Sequence, residues 1–305
     1  MILHKICSER GFIVRKKERQ ALYVQQYENL FHCPICQERM HVVELRSLVC
    51  TQNHTFDFAK QGYLNFLTKP PKTKYDRELF EARHILMDAG QFFAPVLEKI
   101  AEIISENCTQ LQEELIILDA GCGEGTHLYT LCQEYLPKEK KVVGAGIDIA
   151  KEGILVAAKY FDHFIWCVAD LANSPFRDQT FHVILNILSP ANYEEFHRLL
   201  KQKGLLVKVV PTGDYLKEIR QILFTAPEKQ TYSNEAVVEH FQESFQLIDR
   251  KRVEYTTDLQ GEYLNALVQM TPLTWSVSQE RIKRILQEKE LIVTVSLEIL
   301  IGRKE

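Results

Sequence analysis

Apolar and polar positions divide the chain into an irregular N-terminal part and a long region in which strands and helices alternate. Short apolar runs of strand length occur at Leu115–Leu118, Val142–Ile147, Phe164–Val168, Phe181–Ile187 and Leu205–Val210. Helical patterns separate these runs, for example at 124–136 and 151–161. Continuous apolar strands that alternate with helices are typical of a parallel sheet covered on both faces.

The same alternation extends to either side of these five strands. A long helical pattern runs from about Arg77 to Glu106, and Pro95 either kinks or restarts it. Beyond the fifth strand the pattern predicts two helices and then two strand-like segments, at 214–224, 233–242, Gln246–Tyr255 and Leu291–Ile301. The predicted fold class is therefore α/β.

The first 76 residues fall into three segments by composition. Residues 1–30 are a charged extension whose order the sequence leaves open. Residues 31–67 are dense in Cys, His and aromatic side chains, and residues 68–76 form a linker in which prolines stop regular structure and lysines favour solvent. The remaining residues, 77–305, form the large α/β domain.

A glycine-rich loop follows the first strand of this domain. Asp119–Gly125 reads D-A-G-C-G-E-G, and glycines at such a turn let the backbone approach a ligand closely. Ligands of open α/β sheets bind at the carboxyl ends of the strands. Two more acids, Asp148 and Asp170, end the second and third strands. The sequence therefore predicts a ligand site at this edge of the sheet.

The acids distinguish between two kinds of ligand. A dinucleotide fingerprint, G-x-G-x-x-G, cradles a pyrophosphate, which Asp119 and Glu124 would repel. The same carboxylates suit a sulfonium and an ammonium group, while Asp148 can accept both ribose hydroxyls and Asp170 can meet an adenine amino group. The loop resembles the first motif, LDxGCGxG, of the class I S-adenosylmethionine (AdoMet)-dependent methyltransferases. An NAD enzyme and an ordinary tight turn are the alternatives.

A cysteine–histidine cluster marks the second segment. Cys33, Cys36, Cys50 and His54 follow the pattern C-x2-C-x13-C-x3-H. Four thiolate and imidazole ligands form the tetrahedral set that zinc prefers, and they leave no open position for a catalytic water. A module of under ~40 residues is too small for a stable core of its own, so a metal would stabilise it. Metal-free reduced thiols and a redox C-x-x-C are the alternatives.

Further features of the N-terminal part have two interpretations each. His32 and His41 lie close enough in sequence to compete as zinc ligands. Four aromatic side chains either stack on bases together with Lys60 or, as we favour for most, pack around the metal: Phe56, Phe58, Tyr63 and Phe66. Residues 1–80 carry 13 Lys or Arg against 8 Asp or Glu, although the chain has a net charge of −4. This asymmetry indicates an anionic partner or a solvated basic surface.

Five motifs follow one another along the chain. They are the zinc pattern, H-x-FDxAKxGYxNxL, R-x4-DAG from Arg83 to Gly90, LDxGCGEG and Gln269–Trp275. In this order they resemble the large-subunit ribosomal RNA guanine-N1 methyltransferases, from about residue 31 to the end. Asn186–Asn192 is similar to the branch found in Gram-positive bacteria.

The resemblance implies a fold and an activity. The fold is a Rossmann-like, mostly parallel seven-stranded sheet with an antiparallel edge strand, beside a small zinc-binding module. The activity is methyl transfer from AdoMet to N1 of a guanine in a hairpin loop of 23S rRNA, in the peptide-tunnel region where macrolide antibiotics bind. The zinc module would present the RNA, and two copies of the chain would pair to form a cleft.

The resemblance also implies roles for residues at matching positions. One structural zinc ion would be held by Cys33, Cys36, Cys50 and His54. The AdoMet site would include Phe92, Asp119, Gly121, Gly123, Glu124, Gly125, Asp148, Asp170 and Tyr215. His182 stands where methyltransferases usually carry Asp, which should change local packing more than cofactor binding.

The sequence does not identify the group that removes the N1 proton of guanine. That proton must leave before or during attack, and the base must leave its stack to enter a pocket. Asn186, after the fourth strand, either hydrogen-bonds the Watson–Crick edge of the guanine or caps the following helix. Asp178 and His197 are further candidates for the proton acceptor without other support.

Two other functions fit parts of the pattern. One is methylation of a small molecule or protein, with the zinc module as an interaction or dimer contact, and the other is non-catalytic binding of AdoMet or zinc. The basic N-terminal part and the ordered motifs favour ribosomal RNA. The chain has no run of ~18 apolar residues, and residues 1–31 lack the apolar stretch of a secretory signal. A cytoplasmic protein without a membrane span is therefore expected.

Overall fold

The structure is a computed structural model that describes residues 15–69, 71, 75–108, 114–224 and 232–305. The first 14 residues of the predicted extension and part of the predicted linker lie outside these ranges. No helix within the described ranges has the length and apolar composition needed to cross a lipid bilayer.

The strands follow the predicted alternation and add a short group near the N-terminus. Along the chain they are β1 (Met40–Val43), β2 (Ser47–Cys50), β3 (Thr55–Asp57), β4 (Leu64–Asn65), β5 (Glu114–Ala120), β6 (Lys141–Asp148), β7 (Ile165–Val168), β8 (Phe181–Ile187), β9 (Leu200–Pro211), β10 (Gln246–Gln260) and β11 (Glu290–Arg303). Strands β1, β2 and β3 form a small antiparallel sheet. Within the described residues, the others form one eight-stranded sheet in the order β10-β11-β9-β8-β5-β6-β7-β4.

Helices cover both faces of the large sheet. They are α1 (Lys16–Gln25), α2 (Arg77–Met87), α3 (Ala94–Asn107), α4 (Thr126–Thr130), α5 (Lys151–Tyr160), α6 (Tyr193–Leu199), α7 (Lys217–Leu223), α8 (Glu235–Ser244), α9 (Gly261–Met270) and α10 (Gln279–Gln287). Alternate residues of β5 enter different cores, with Leu115 and Ile117 on one face and Ile116 and Leu118 on the other. Such two-sided burial explains the continuous apolar runs of the parallel strands.

The N-terminal segment packs along one edge of this sheet. Strand β4 pairs in parallel with β7, placing Leu64 opposite Cys167 and Asn65 opposite Val168. Helix α1 buries Ala21 and Val24, and its Lys16 Nζ lies 2.7 Å from Asp162 Oδ1. The described part of the N-terminal extension is therefore ordered against the large domain.

The predicted class I methyltransferase fold is confirmed, with two differences in detail. The sheet has an eighth strand, because β4 from the zinc-binding segment adds to the edge formed by β7. The antiparallel strand, β11, lies second from the other edge, between β9 and β10, and is antiparallel to both. Of the two alternatives for the long helical pattern, the structure shows a restart: α2 ends at Met87, and α3 begins at Ala94 with Pro95 in its first turn, where the missing N–H has no partner to lose.

Candidate active site and metal centre

The glycine loop joins β5 to α4 in a conformation that other residues adopt poorly. Gly121 and Gly125 have φ angles of 84° and 79°, in the left-handed region. A Cβ on Gly121 would lie 1.9 Å from Ser189 Oγ, and a Cβ on Gly125 would lie 2.5 Å from the ring of Trp166. Gly121 therefore leaves room for the Ser189 hydroxyl, whereas Gly125 allows the loop to pack onto the core.

Asp148, at the end of β6, holds the loop in place. Its Oδ2 accepts a hydrogen bond of 2.8 Å from Gly123 N, and its Oδ1 accepts one of 2.7 Å from Ala150 N. Burial raises the pKa of Asp148, while these backbone donors and Arg83 favour its charged form. The carboxylate thus connects two strand ends at the place where the sequence predicts a ribose.

A cluster of buried charges lies behind the loop. Arg83 Nε, from α2, lies 2.9 Å from the carboxylate of Glu124, whose side chain is fully buried. Burial raises the pKa of Glu124, and it raises the pKa of Asp119 to about 7. Burial opposes the charge of Arg83, but the carboxylates of Glu124, Asp119 and Asp148 raise its pKa. Three acids share one guanidinium here, so an added positive group would be stabilised.

Two adjoining cavities open at the carboxyl ends of the parallel strands. The loop cavity has a volume of about 380 Å³, and its lining includes Gly121, Gly123, Asp148, Asp170 and Ser189. The strand cavity has a volume of about 600 Å³, and its lining includes Phe93, Tyr193, Lys208, Tyr215 and Tyr232. Arg83, Ser189 and Pro190 line both cavities, so groups bound in one can meet groups bound in the other.

The structure brings some of the predicted AdoMet residues to these cavities and places others elsewhere. Asp119, Glu124 and Gly125 do not line either cavity, because the first two are buried behind the loop and Gly125 packs on Trp166. Phe92 is also absent from both linings. Its ring is buried in the core, and its carbonyl accepts a hydrogen bond from Tyr255 Oη. The neighbouring Phe93 lines the strand cavity instead.

Asn186, the predicted contact to the target base, is fully buried at the end of β8. Its Nδ2 donates to the carbonyls of Ala120 at 2.9 Å and Pro190 at 3.1 Å, and its Oδ1 accepts from Lys208 Nζ at 2.6 Å. The alternative role as a helix cap is wrong, because Asn192 Oδ1 caps α6 by accepting from Glu195 N. In this arrangement Asn186 lines neither cavity itself and contacts them through Lys208 and Pro190.

Neither of the two other candidate proton acceptors lies at the cavities. Asp178 is an exposed partner of Arg198, and His197 stacks on Phe245 with its Nε2 at the Ser244 carbonyl. Sequence reasoning missed Lys208 and Arg83 as site residues. Arg83 did carry a signal, since it opens the R-x4-DAG motif, whereas nothing local to Lys208 marks it.

The predicted zinc ligands converge on one point. The ligand atoms of Cys33, Cys36, Cys50 and His54 all lie within 4.8 Å of one another. His54 Nδ1 lies 3.3 Å from Cys36 Sγ, 3.4 Å from Cys50 Sγ and 3.6 Å from Cys33 Sγ. These separations equal the edges of a tetrahedron around a metal with bonds of about 2.0–2.3 Å, the values for zinc. The three thiolates and one imidazole therefore fit zinc.

The remaining candidates of this segment are neither zinc ligands nor exposed stacking surfaces. His32 Nε2 lies 3.1 Å from the Ser174 carbonyl, and His41 is exposed on β1, so neither competes for the metal. The four aromatic side chains weighed between stacking and packing are all buried: Phe56, Phe58, Tyr63 and Phe66. Packing is therefore confirmed: Phe56, Phe58 and Phe66 share a core with Cys33 and Cys50, whereas Tyr63 packs in the core on the other face of the large sheet.

Two family models match the chain. A zinc-ribbon model described as "RlmA, N-terminal" matches residues 31–74, and a model described as "Methyltransferase domain" matches residues 117–204. The first covers the four metal-ligating residues, and the second covers the glycine loop and the ends of the strands beside it.

Full-length relatives agree with both matches. YxjB of Bacillus subtilis (strain 168), described as a candidate 23S rRNA (guanine-N(1)-)-methyltransferase, is 46% identical and covers 90% of this chain and 98% of its own length. The 23S rRNA (guanine(748)-N(1))-methyltransferase of Streptomyces fradiae is 29% identical, covering 88% of this chain and 93% of its own length. A Micromonospora griseorubida protein described like YxjB is 28% identical over 89% of this chain and 95% of its own.

The strand order, the glycine loop and the matched methyltransferase domain define a class I AdoMet-dependent methyltransferase with a zinc ribbon. The chain belongs to the family of 23S rRNA (guanine-N1)-methyltransferases. The predicted family, enzyme class and cofactors, AdoMet and zinc, are thereby confirmed.

Proposed function

We propose that the chain methylates N1 of a guanine in a hairpin loop of 23S rRNA, in the cytoplasm. The proposal depends mainly on one observation. Two cavities adjoin at the carboxyl ends of the strands, and both are lined by Arg83, Ser189 and Pro190. One cavity has the features of an AdoMet site, and the other has aromatic walls and room for a base. The relatives named for this reaction cover nearly the whole chain.

The loop cavity fits AdoMet. Gly121 and Gly123 expose bare backbone, and Asp148 and Asp170 end two neighbouring strands, where the ribose and adenine would lie. The buried acids favour the positive groups of the ligand, and Arg83 reaches both cavities and can hold its carboxylate. When bound, AdoMet supplies the methyl group from a sulfonium centre. The protein residues hold the acceptor atom close and in line with that centre.

The strand cavity suits a guanine that has left its stack. Tyr193 and Tyr232 are among its aromatic lining residues, and Lys208 supplies a polar group at its wall. At the mouth, Tyr75 and Trp275 remain 44% and 40% exposed, with their rings 5.2 Å apart at a steep angle. Exposed aromatic rings stack on the unpaired bases of RNA loops, so these two would hold nucleotides that flank the target.

The zinc ribbon is the proposed RNA-presenting module. We assign residues 31–67 to it, 68–76 to the linker and 77–305 to the methyltransferase domain. Because β4 pairs with β7, the ribbon is fixed to the strand that precedes Asp170, close to the loop cavity. Pairing of two copies to form a cleft is part of the same proposal and would place a second ribbon beside the RNA.

The test is transfer of labelled methyl groups from AdoMet to rRNA of a strain that lacks the gene. Naked 23S rRNA, assembled large subunits, a protein extract and a small-molecule extract are offered separately. We expect label in 23S rRNA or in large subunits, and much less label with the Asp148→Ala variant when AdoMet is limiting. Guanine 748, named for the Streptomyces relative, is the first position to examine. Label only in the protein or small-molecule extract would contradict the proposal.

A further inference from the structure

Lys208 lies at the end of β9 and is only 4% exposed, yet it lines the strand cavity. Its Nζ donates to Asn186 Oδ1 at 2.6 Å and to the Ser189 carbonyl at 3.1 Å. Both acceptors are neutral oxygens, and among the described residues no carboxylate forms an ion pair with Lys208. A buried lysine without a counter-ion is costly, and such a group at the wall of a cavity is a candidate functional residue.

The two acceptors orient the amine. A neutral amine has two N–H bonds and one lone pair in a tetrahedral arrangement with Cε. Asn186 Oδ1 and the Ser189 carbonyl take up both N–H bonds, so the lone pair takes the remaining direction. Ser189 lines both cavities and Lys208 lines the strand cavity, so the amine hydrogen-bonds a residue that the two cavities share.

We propose that Lys208 is the general base that removes the N1 proton of the target guanine, and that Asn186 positions it. This proposal rests on the proposed function. The N1–H bond breaks, its electron pair stays on N1 and the proton passes to the neutral Lys208 Nζ. The N1 pair forms the bond to the methyl carbon as the sulfur–carbon bond breaks, with that pair staying on sulfur. Lys208 then returns the proton to water.

The surroundings of Lys208 favour its neutral form. Burial lowers the pKa of Lys208 to about 8, so a useful fraction is neutral near physiological pH, as a general base requires. The charged and titratable side chains around the same cavity are Tyr75, Arg83, His127, Tyr193, Tyr215, Tyr232 and His240. On the adjacent strand β11, Glu298 is engaged by Arg250 and by Asn234 Nδ2.

The other basic groups of the cavity are less suited. His127 is buried, stacks on Phe93, and has a pKa held well below its usual value by burial and by Arg83. His240 is exposed on α8 beside Glu243. Neither approaches Ser189 or Asn186 by any described hydrogen bond, whereas Lys208 contacts both.

The test compares Lys208→Met and Lys208→Arg with the wild type and with Lys201→Met. Lys201 lies on the same strand at its opposite end, beside His182, and serves as the matched control. General bases contribute roughly 10²- to 10⁴-fold, so kcat should fall by that factor in both Lys208 variants. The arginine keeps the charge but cannot lose its proton, so it separates a base from a fixed positive charge. AdoMet affinity, measured by calorimetry, should change less than about twofold.

Two further readouts separate a base from a structural lysine. Primary amines added to Lys208→Ala should restore activity, more strongly for the more basic amines at equal free-base concentration. Asn186→Asp should place a carboxylate beside Lys208, raise its pKa and shift the rising limb of the pH–rate profile to higher pH. Lys201→Met should show neither amine rescue nor a shifted limb.

The outcomes are distinct. If the wild type labels no rRNA, the proposed function fails. If the wild type labels rRNA and Lys208→Arg keeps more than about a tenth of its kcat, the general-base proposal fails while the function stands. The general-base proposal also fails if amines do not rescue Lys208→Ala although that variant binds AdoMet normally.

Discussion

Arg83 Nε lies 2.9 Å from the carboxylate of Glu124, and this fully buried acid sits inside the glycine loop. Removing one partner of a buried pair leaves the other charge uncompensated. Arg83→Met should therefore lower the free energy of unfolding by about 3 kcal/mol, measured by urea unfolding.

A matched control comes from the same helix. Arg77 pairs with Glu81 at the surface, so Arg77→Met should cost less than about 1 kcal/mol. The double variant Arg83→Met/Glu124→Gln should recover part of the loss, because it removes both charges. Equal stability of the Arg83 and Arg77 variants would show that the buried pair is not a structural element of the loop.

Asp148 connects Gly123 N and Ala150 N and also faces the loop cavity. Asp148→Ala should weaken AdoMet binding about 30-fold, the equivalent of about 2 kcal/mol for lost hydrogen bonds to a charged group. Calorimetric titration measures the Kd for AdoMet. Asp178→Ala, at an exposed position, is the control, and its affinity should be unchanged. An unaltered Kd for Asp148→Ala would argue against this cavity as the cofactor site.

Zinc should stabilise the ribbon that binds it and also the contact between the ribbon and the large sheet. Elemental analysis should find about one zinc per chain, and Cys50→Ser should lose it whereas Cys108→Ser, outside the cluster, should not. Phe66 N donates to the Val168 carbonyl beside β4 at 2.8 Å, so metal removal should speed hydrogen exchange of the Phe66 amide. A wild-type protein that is zinc-free when purified without chelator would contradict the metal assignment.

The imidazole of His182 should make stability depend on pH. Ile116 N donates to its Nδ1 at 3.0 Å, and burial together with Lys201 lowers the pKa of His182 to about 4. The unfolded chain, with an ordinary histidine pKa near 6.5, takes up the proton first as pH falls. The free energy of unfolding should therefore be highest above about pH 6.5 and should fall as the pH is lowered toward 4. The expected decrease is on the order of 1–2 kcal/mol after allowance for solvent screening.

The check is urea unfolding at several pH values for the wild type and His182→Asn. The variant should lose less stability between pH 6.5 and 4.5, because its amide does not titrate. AdoMet affinity should stay unchanged, since His182 lies near the start of β8 and lines neither cavity. If the free energy of unfolding depends on pH in the same way in the two proteins, His182 is not the cause of that dependence.

The fold could be predicted from the sequence because buried strands appear as local runs of apolar residues. Strands β5 and β8 are buried on both faces, and their apolar runs mark the centre of β5 and the whole of β8. The edge strand β4 has only two residues, too few for a periodic pattern, and it forms through pairing with β7, a contact about 100 residues away along the chain.

The residues of the site also fall into two groups, those that the sequence could predict and those that it could not. The zinc ligands and the loop acids were predictable because each set lies in a short motif with fixed spacing. Arg83, Phe93 and Lys208 come from three separate elements that meet only in the folded protein. Lys208 stands in an apolar strand, where one lysine is ordinarily a solvent-facing residue, and only the structure shows it bound to Asn186 and Ser189.

The central claim is that this chain methylates N1 of a guanine in 23S rRNA. Primer extension tests it most directly, because a methyl group on N1 blocks pairing and stops reverse transcriptase. We expect a stop beside one hairpin-loop guanine of 23S rRNA from the wild-type strain, its loss on deletion of the gene, and its return with the intact gene and, more weakly, with Asp148→Ala. The same stop pattern in the wild-type and deletion strains would contradict the account.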